Sequence, residues 1–144
     1  MLEVNFYEQV ADELLKFAVI ISKTNGKFVF CKHKERDTYE VPGGHREADE
    51  TIFETAKREM MEETGAIAFD IKPICVYSVK GKTRVNENEG EETFGMLFFA
   101  DIYAFEELHS EIEKILITDT LVEDWTYPLI QPKLIAEAQR RGVL

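Results

Sequence analysis

Gly44-His45-Arg46-Glu47-Ala48-Asp49-Glu50-Thr51-Ile52-Phe53-Glu54-Thr55-Ala56-Lys57-Arg58-Glu59-Met60-Met61-Glu62-Glu63-Thr64-Gly65 is the stretch on which the reading of this chain turns. Thr51 followed three residues later by Glu54 is a capping box, a reciprocal pairing that opens a helix. Ile52, Phe53, Ala56 and Met60 then recur at helical spacing, and Gly65 supplies the left-handed residue that closes it. The spacing predicts a helix over 52–64, with Phe53, Met60 and Met61 in the core. Its last turn breaks the rules of helix electrostatics. Glu59, Glu62 and Glu63 sit at the negative end of the helix dipole, and their i,i+3 and i,i+4 spacings set like charges against each other. On a helical projection Glu63 falls about 20° from Ile52, at the edge of the apolar stripe rather than in water. Each of these mismatches costs a few tenths to about 1 kcal/mol, and a bound cation would reverse the sign of all of them.

Outward from this helix the pattern is that of strands. Phe17 to Ile21 is a β-branched run that reads as a buried strand. Asn25-Gly26 before Phe28-Val29-Phe30-Cys31 is a hairpin signal. Tyr39-Glu40-Val41 runs into Pro42-Gly43-Gly44, a turn or close-approach loop. Beyond the helix, Ile74–Val79, Phe94–Tyr103 and Ile112–Ile117 read as further strands. Between the first two of these lie about a dozen polar residues, 81–92, a long loop of the functional or mobile kind. Leu134, Ile135 and Ala138 mark a second helix, ending on Arg140-Arg141 at its negative end with Gly142 as cap. Strands, a helix, more strands and a closing helix predict one α/β domain over 1–144, a mixed sheet with helices packed on it.

Composition narrows the function classes. The chain has 144 residues, 44% of them hydrophobic, with 17 basic and 28 acidic residues and a net charge of −11. Such acidity speaks against general nucleic-acid binding and against an anionic membrane surface. Cys31 and Cys75 are too few for a disulfide framework, which favours a reducing compartment. Met1 to Val4 lacks the basic start and apolar run of a signal peptide, and no apolar stretch approaches a membrane span; a cytoplasmic protein is expected. Part of the acidity is local, because residues 46–63 hold seven acids against three bases. Clustered carboxylates without a Cys or His ligand pattern are hard oxygen donors. They suit Mg²⁺, Mn²⁺ or Ca²⁺ rather than Zn²⁺. No EF-hand spacing is present. A solvated acidic face is the bland alternative.

The wider spacing decides between them. Gly44-x5-Glu50-x7-Arg58-Glu59-Met60-x-Glu62-Glu63-x-Gly65 resembles the Nudix box, the signature of the Nudix hydrolase family, over 44–66 with each fixed position present. One departure is Ala66 with Ile67 behind it, where a bulkier apolar residue is expected after Gly65. Tyr39 to Gly44 resembles the family's approach to the box, and the order of elements over 15–140 fits its fold. The resemblance implies an α/β/α sandwich around a central mixed β-sheet. It also implies Mg²⁺- or Mn²⁺-dependent hydrolysis, by water attack at phosphorus, of a nucleoside diphosphate linked to another moiety. A nucleoside triphosphate, oxidised ones such as 8-oxo-dGTP included, cleaved to the monophosphate and pyrophosphate is the first expectation. Nucleoside diphosphate sugars and dinucleoside polyphosphates are the alternatives. A non-catalytic nucleotide sensor is disfavoured, since the box carboxylates are intact.

By the same resemblance Glu59, Glu62 and Glu63 are metal ligands joined by the backbone carbonyl of Gly43. Arg58 orients the carboxylates, and Glu50 assists from ahead of the helix. Either role has a plain counterpart, a surface ion pair for Arg58 and a favourable helix-dipole contact for Glu50. Glu47 is weaker still, an exposed loop charge on the simpler reading. Which glutamate acts as general base stays open, with Glu111 and Glu113 as candidates outside the box and a solvated strand edge as their alternative. Gly44 would let backbone approach phosphate, and Lys82 and Arg84 are candidate substrate contacts in the long loop. His45 reads as exposed. Trp125 and Tyr127 read as core packing rather than as a stacking platform for a base. The expected partner is a small nucleotide or nucleoside diphosphate derivative, and a homodimer is left open.

Overall fold

The computed structural model describes residues 2–83, 86–108 and 110–144. Seven strands and two helices occur in the order β1 (Glu3–Tyr7), a 3₁₀ turn (Asp12–Leu14), β2 (Leu15–Thr24), β3 (Lys27–His33), β4 (Gly43–His45), α1 (Ile52–Thr64), β5 (Ala66–Lys80), β6 (Glu92–Phe105), β7 (Ile112–Thr118) and α2 (Gln131–Arg140). The sheet is mixed, ordered β1-β5-β6-β2-β3-β7, with β4 also paired to β2. Only the β2–β6 pairing is parallel among the ladders of the described residues. Along β2 one edge is occupied by β6 from Leu15 to Lys23, so β4 and β3 must share the other. β4 takes Phe17–Val19 and β3 takes Ser22–Thr24, and the sheet therefore forks.

Period-two alternation divides the core into two layers. Ala18, Ile20, Val76, Phe98 and Ala100 face Ile52, Ala56 and Met60 of α1. Ile21, Cys75, Tyr77, Leu97 and Phe99 face Leu134, Ile135 and Ala138 of α2. This is the expected α/β/α sandwich around a mixed sheet.

The local signals are realised as read. Thr51 and Glu54 close the capping box, and Gly65 ends α1 at φ 77°. Asn25 and Gly26 turn the β2–β3 hairpin with φ of 51° and 77°, the paired positive values that such a two-residue turn requires. Met61 departs from the expectation. It is exposed, because one residue past Met60 is 100° round the helix and off the buried stripe. The strands outrun their apolar runs: β5 begins directly at Ala66 and β6 extends to Phe105, held by a long antiparallel ladder. β1 was not anticipated, since Val4 and Phe6 become an edge strand only by pairing with β5.

The described parts of the 81–91 connection, 81–83 and 86–91, are tied to the sheet by one buried side chain. Asn86 is 1% exposed; its Nδ2 donates to the carbonyls of Val79 and Glu91, and its Oδ1 accepts from Thr93. Thr83 and Asn86 also exchange backbone and hydroxyl hydrogen bonds. The start of this connection, Lys82–Thr83, borders the cleft described next.

Candidate active site

Charge at the end of α1 is held together by Arg58. Its Nε donates to Glu50 Oε2 at 2.6 Å and one terminal nitrogen donates to Glu50 Oε1 at 3.0 Å, a two-pronged grip. That same nitrogen donates to the carbonyl of His45 at 3.0 Å, and the other reaches Glu59 Oε1 at 2.7 Å. Glu62 and Glu47 stand at ion-pair distances of 3.5 and 3.6 Å. Glu50 additionally accepts from Thr55 and from the backbone N–H of Glu47. These contacts, led by Arg58, hold the Glu50 carboxyl down at about 2. The guanidinium is pushed up in turn, chiefly by Glu50.

The acidic side chains of α1 differ in their surroundings. Glu63 accepts the N–H of Gly43 at 2.7 Å. Burial pushes its carboxyl up to about 8, the Gly43 bond opposes this, and the carboxylates of Glu59, Glu40 and Glu62 add to the rise. Burial also raises Glu59, whose side chain is 13% exposed, against the pull of Arg58. Glu62 is 51% exposed. Glu63 and Glu59 lie directly against Gly43 and Gly44, while Glu62 faces Arg58. Among the described residues no three His, Cys, Asp or Glu side chains are closed on one another as a ready cation cage.

The two glycines are required here by close approach. A Cβ on Gly44 would fall within 2.5 Å of both Glu59 carboxylate oxygens, and one on Gly43 within 2.6 Å of the Ala18 carbonyl. β4 is therefore the place where an acidic helix end can lie directly on backbone. The donor set is all oxygen, and two of its carboxylates are held in a state that penalises their charge. Both facts fit a divalent cation of the Mg²⁺ or Mn²⁺ type.

On the α2 side of the sheet, Gly43 and Gly44 form one edge of a cleft of about 630 Å³. Lys82, expected as a substrate contact, lies on its wall, as do His45 and Tyr127. Arg84 lies outside the described residues. Glu111 and Glu113 are not brought to this cleft; they pair with His33 at 3.0 Å and Lys32 at 3.1 Å along the β3–β7 ladder. Trp125 packs edge-on against Phe30, with ring centroids 5.4 Å apart. His45 is exposed as read, but its ring lies 4.4 Å from that of Phe17 and joins the cleft wall.

Two charged residues were not singled out in the sequence. Glu40, buried beside Glu63 and Cys31, pairs with Arg36 at 3.1 Å, and Arg36 is bonded to Tyr127 as well. The only local signal was a charged residue amid an apolar strand, Tyr39-Glu40-Val41, which became visible as a site when α2 and the 124–128 segment closed over it.

Comparison with known proteins places this geometry in context. The model of the NUDIX domain matches residues 13–141. A Bacillus subtilis (strain 168) protein carrying the provisional name 8-oxo-dGTP diphosphatase YtkD is 34% identical over 104 residues. That is 72% of this chain, and the match spans 61% of that relative's length. A mutant of the Bacillus subtilis pyrophosphohydrolase BsRppH superimposes with a TM-score of 0.77 at 25% identity, covering 98% of this chain and 91% of its own. An Ap4A hydrolase of C. elegans shares the fold at a TM-score of 0.64 and 17% identity, covering 90% and 99% respectively.

Proposed function

Since this chain belongs to the Nudix hydrolase family, we propose that it is a divalent-metal-dependent pyrophosphohydrolase that cleaves a nucleoside triphosphate to the monophosphate and pyrophosphate. The observation that carries this reading is the joining of two features at Gly43–Gly44: the buried carboxylates of α1 on one side and the open cleft on the other. Oxidised triphosphates such as 8-oxo-dGTP are the first substrates to try, supported by the name of the Bacillus subtilis relative.

Glu59, Glu62 and Glu63, with the Gly43 carbonyl, would hold Mg²⁺ or Mn²⁺. Bound there, such ions polarise phosphoryl oxygens, stabilise the leaving group and acidify the attacking water. The protein's own contribution is positional. Arg58 fixes Glu59 and, through Glu50 and the His45 carbonyl, ties the helix end to the loop ahead of it. Gly43 and Gly44 bring backbone against those carboxylates with no side chain between. Lys82, on the cleft wall, offers a cation to a phosphate chain. Glu40, buried beside Glu63 and held by Arg36, is a further carboxylate for the role of proton acceptor. A family-typical sensor would keep the cleft and lose the carboxylates, and here each box carboxylate stands in place.

The test is a product-resolved hydrolysis panel of nucleoside triphosphates, 8-oxo-dGTP, nucleoside diphosphate sugars and dinucleoside polyphosphates with Mg²⁺ or Mn²⁺. Monophosphate plus pyrophosphate from a triphosphate is the expected result. Fastest turnover of a sugar or dinucleoside substrate would replace the substrate class. Tight nucleotide binding with no turnover of any compound would overturn the enzymatic reading.

A further inference from the structure

One row of register partners crosses the floor of the cleft: Tyr77 on β5, Gly95 on β6, Phe17 on β2 and His45 on β4. Three strand-to-strand steps of roughly 4.8 Å set the two ends of that row about 14 Å apart. The carboxylates lie at the His45 end, where Glu59 rests on neighbouring Gly44. Tyr77 marks the far end. A Cβ on Gly95 would meet the Tyr77 ring and hydroxyl at 2.7–2.8 Å, so the ring lies over Gly95 and carries its hydroxyl off β5 and across β6.

That hydroxyl is unpaired. Tyr77 is 5% exposed, and burial alone, with no hydrogen bond contributing, pushes its pKa well up. Among the described residues the side-chain polar atom both fully sequestered and partnerless is Ser22 Oγ, so the Tyr77 hydroxyl keeps its access through the cleft.

Gln131 repeats the situation from the opposite wall. It is 6% exposed, and its Oε1 accepts the N–H of Val41 at 2.9 Å. That peptide donor requires the amide oxygen, which fixes the orientation of the side chain and turns Nε2 away from Val41. Nε2 has no acceptor among the described residues, and Gln131 too lines the cleft. Val79, Ile130 and Leu134 give the cleft much of its apolar lining. Two side chains more than nine-tenths buried, each with a polar atom that has no protein partner and lines the same cleft, point to a ligand that completes them.

We infer that Tyr77 and Gln131 are specificity-determining residues that hydrogen-bond the planar, non-phosphate end of the ligand, a nucleobase or similar heteroaromatic group presenting an acceptor to Gln131 Nε2. This deepens the proposed function and rests on it, with the phosphates at the Gly43–Gly44 end. Gln131 Nε2 can only donate, whereas the Tyr77 hydroxyl can donate or accept. The pair therefore constrains one hydrogen-bonding atom of the ligand and tolerates either kind at the other.

The test uses binding, so that it stands apart from turnover. The probes are the α,β-methylene triphosphates of guanosine and adenosine, and the matching ribose compound with no base, each titrated calorimetrically in the presence of Mg²⁺. Tyr77→Phe removes one oxygen from a site with no protein partner, so its Tm is expected to equal or exceed that of the parent. It should weaken binding of the better nucleoside analogue about 5- to 10-fold and leave the base-less compound unchanged. Gln131→Glu keeps an acceptor for Val41 and replaces the donor by an acceptor, and should weaken the same analogue by more than 10-fold with the same selectivity. Equal losses on the base-less compound, no loss at all, or a drop in the Tm of Tyr77→Phe would overturn the assignment. Wild-type protein that binds no triphosphate analogue would overturn the proposed function together with it. Wild-type binding that both variants leave untouched would overturn the assignment alone.

Discussion

The two helices end in opposite ways. α2 finishes as helix electrostatics prefers, with Arg140 in its last turn and Glu137 one turn back gripped by Arg140 and Arg141. Those two guanidinium groups hold the Glu137 carboxyl down at about 2. α1 finishes on Glu59, Glu62 and Glu63 with no basic residue in its last turn, and the carboxyl of Glu63 sits up at about 8. One chain thus contains both the stable arrangement and its inversion. On the proposed function the inversion has a use, because a helix end short of positive charge gains by binding a cation.

The largest expected effect separates activity from stability. Glu63→Gln or Glu62→Gln should lower kcat at least 100-fold, equivalent to about 2.7 kcal/mol of transition-state stabilisation. In metal-free buffer Glu63→Gln should also raise Tm at pH 8 and do little at pH 5. A folded-state pKa raised above the unfolded value means stability falls as pH climbs between the two, and the amide escapes that loss. Near wild-type turnover, or a Tm lowered at pH 8, would remove the contrast between the two helix ends. Next comes Arg58→Ala, which frees Glu50 and leaves Glu59 without its cation. Loss of about 1–3 kcal/mol in denaturant unfolding is expected together with a fall in kcat. Loss of stability with full activity would make Arg58 a structural tie alone.

At α2 the same type of change should be mild. Glu137→Gln should reduce stability by about 1–2 kcal/mol and leave kcat unchanged, since it breaks a partly buried ion-pair network whose residues do not line the cleft. The smallest effect lies in acid. Glu50 and Glu137 both have depressed folded-state pKa values, so their stabilisation is complete above about 4.5 and is lost as pH falls through about 2. Acid unfolding of Glu137→Gln should flatten in that window, which a pH titration followed by circular dichroism would read.

How far these features could be read in advance depended on range. The capping box at Thr51 and Glu54, the Asn25-Gly26 turn and the stop at Gly65 involve neighbours within four residues, and all are realised. The acidic turn was legible for the same reason. Asn86 was not, because its partners are the backbone carbonyls of Val79 and Glu91, which carry no side-chain signature. Glu40 sat in plain view as a charge between Tyr39 and Val41, but its surroundings depend on Arg36 and Tyr127. Tyr77 and Gln131 lie 54 residues apart in the numbering and share a cleft only through the sheet and the last helix. Met61 shows the converse error, a hydrophobic residue assigned by its type when helical phase decided its exposure.

The fork of the sheet at β2 gives the cleft its mechanical character. Where β4 gives way to β3, the intervening backbone leaves the ladder; Ile20 donates to the Pro42 carbonyl, and the N–H of Val41 turns to Gln131. One wall of the cleft is the continuous sheet, pinned by hydrogen-bonded ladders, and the 126–131 segment and α2 supply the facing wall. A wall held by such ladders has little ordering entropy left to lose on association. On that side a ligand meets a mould already cast.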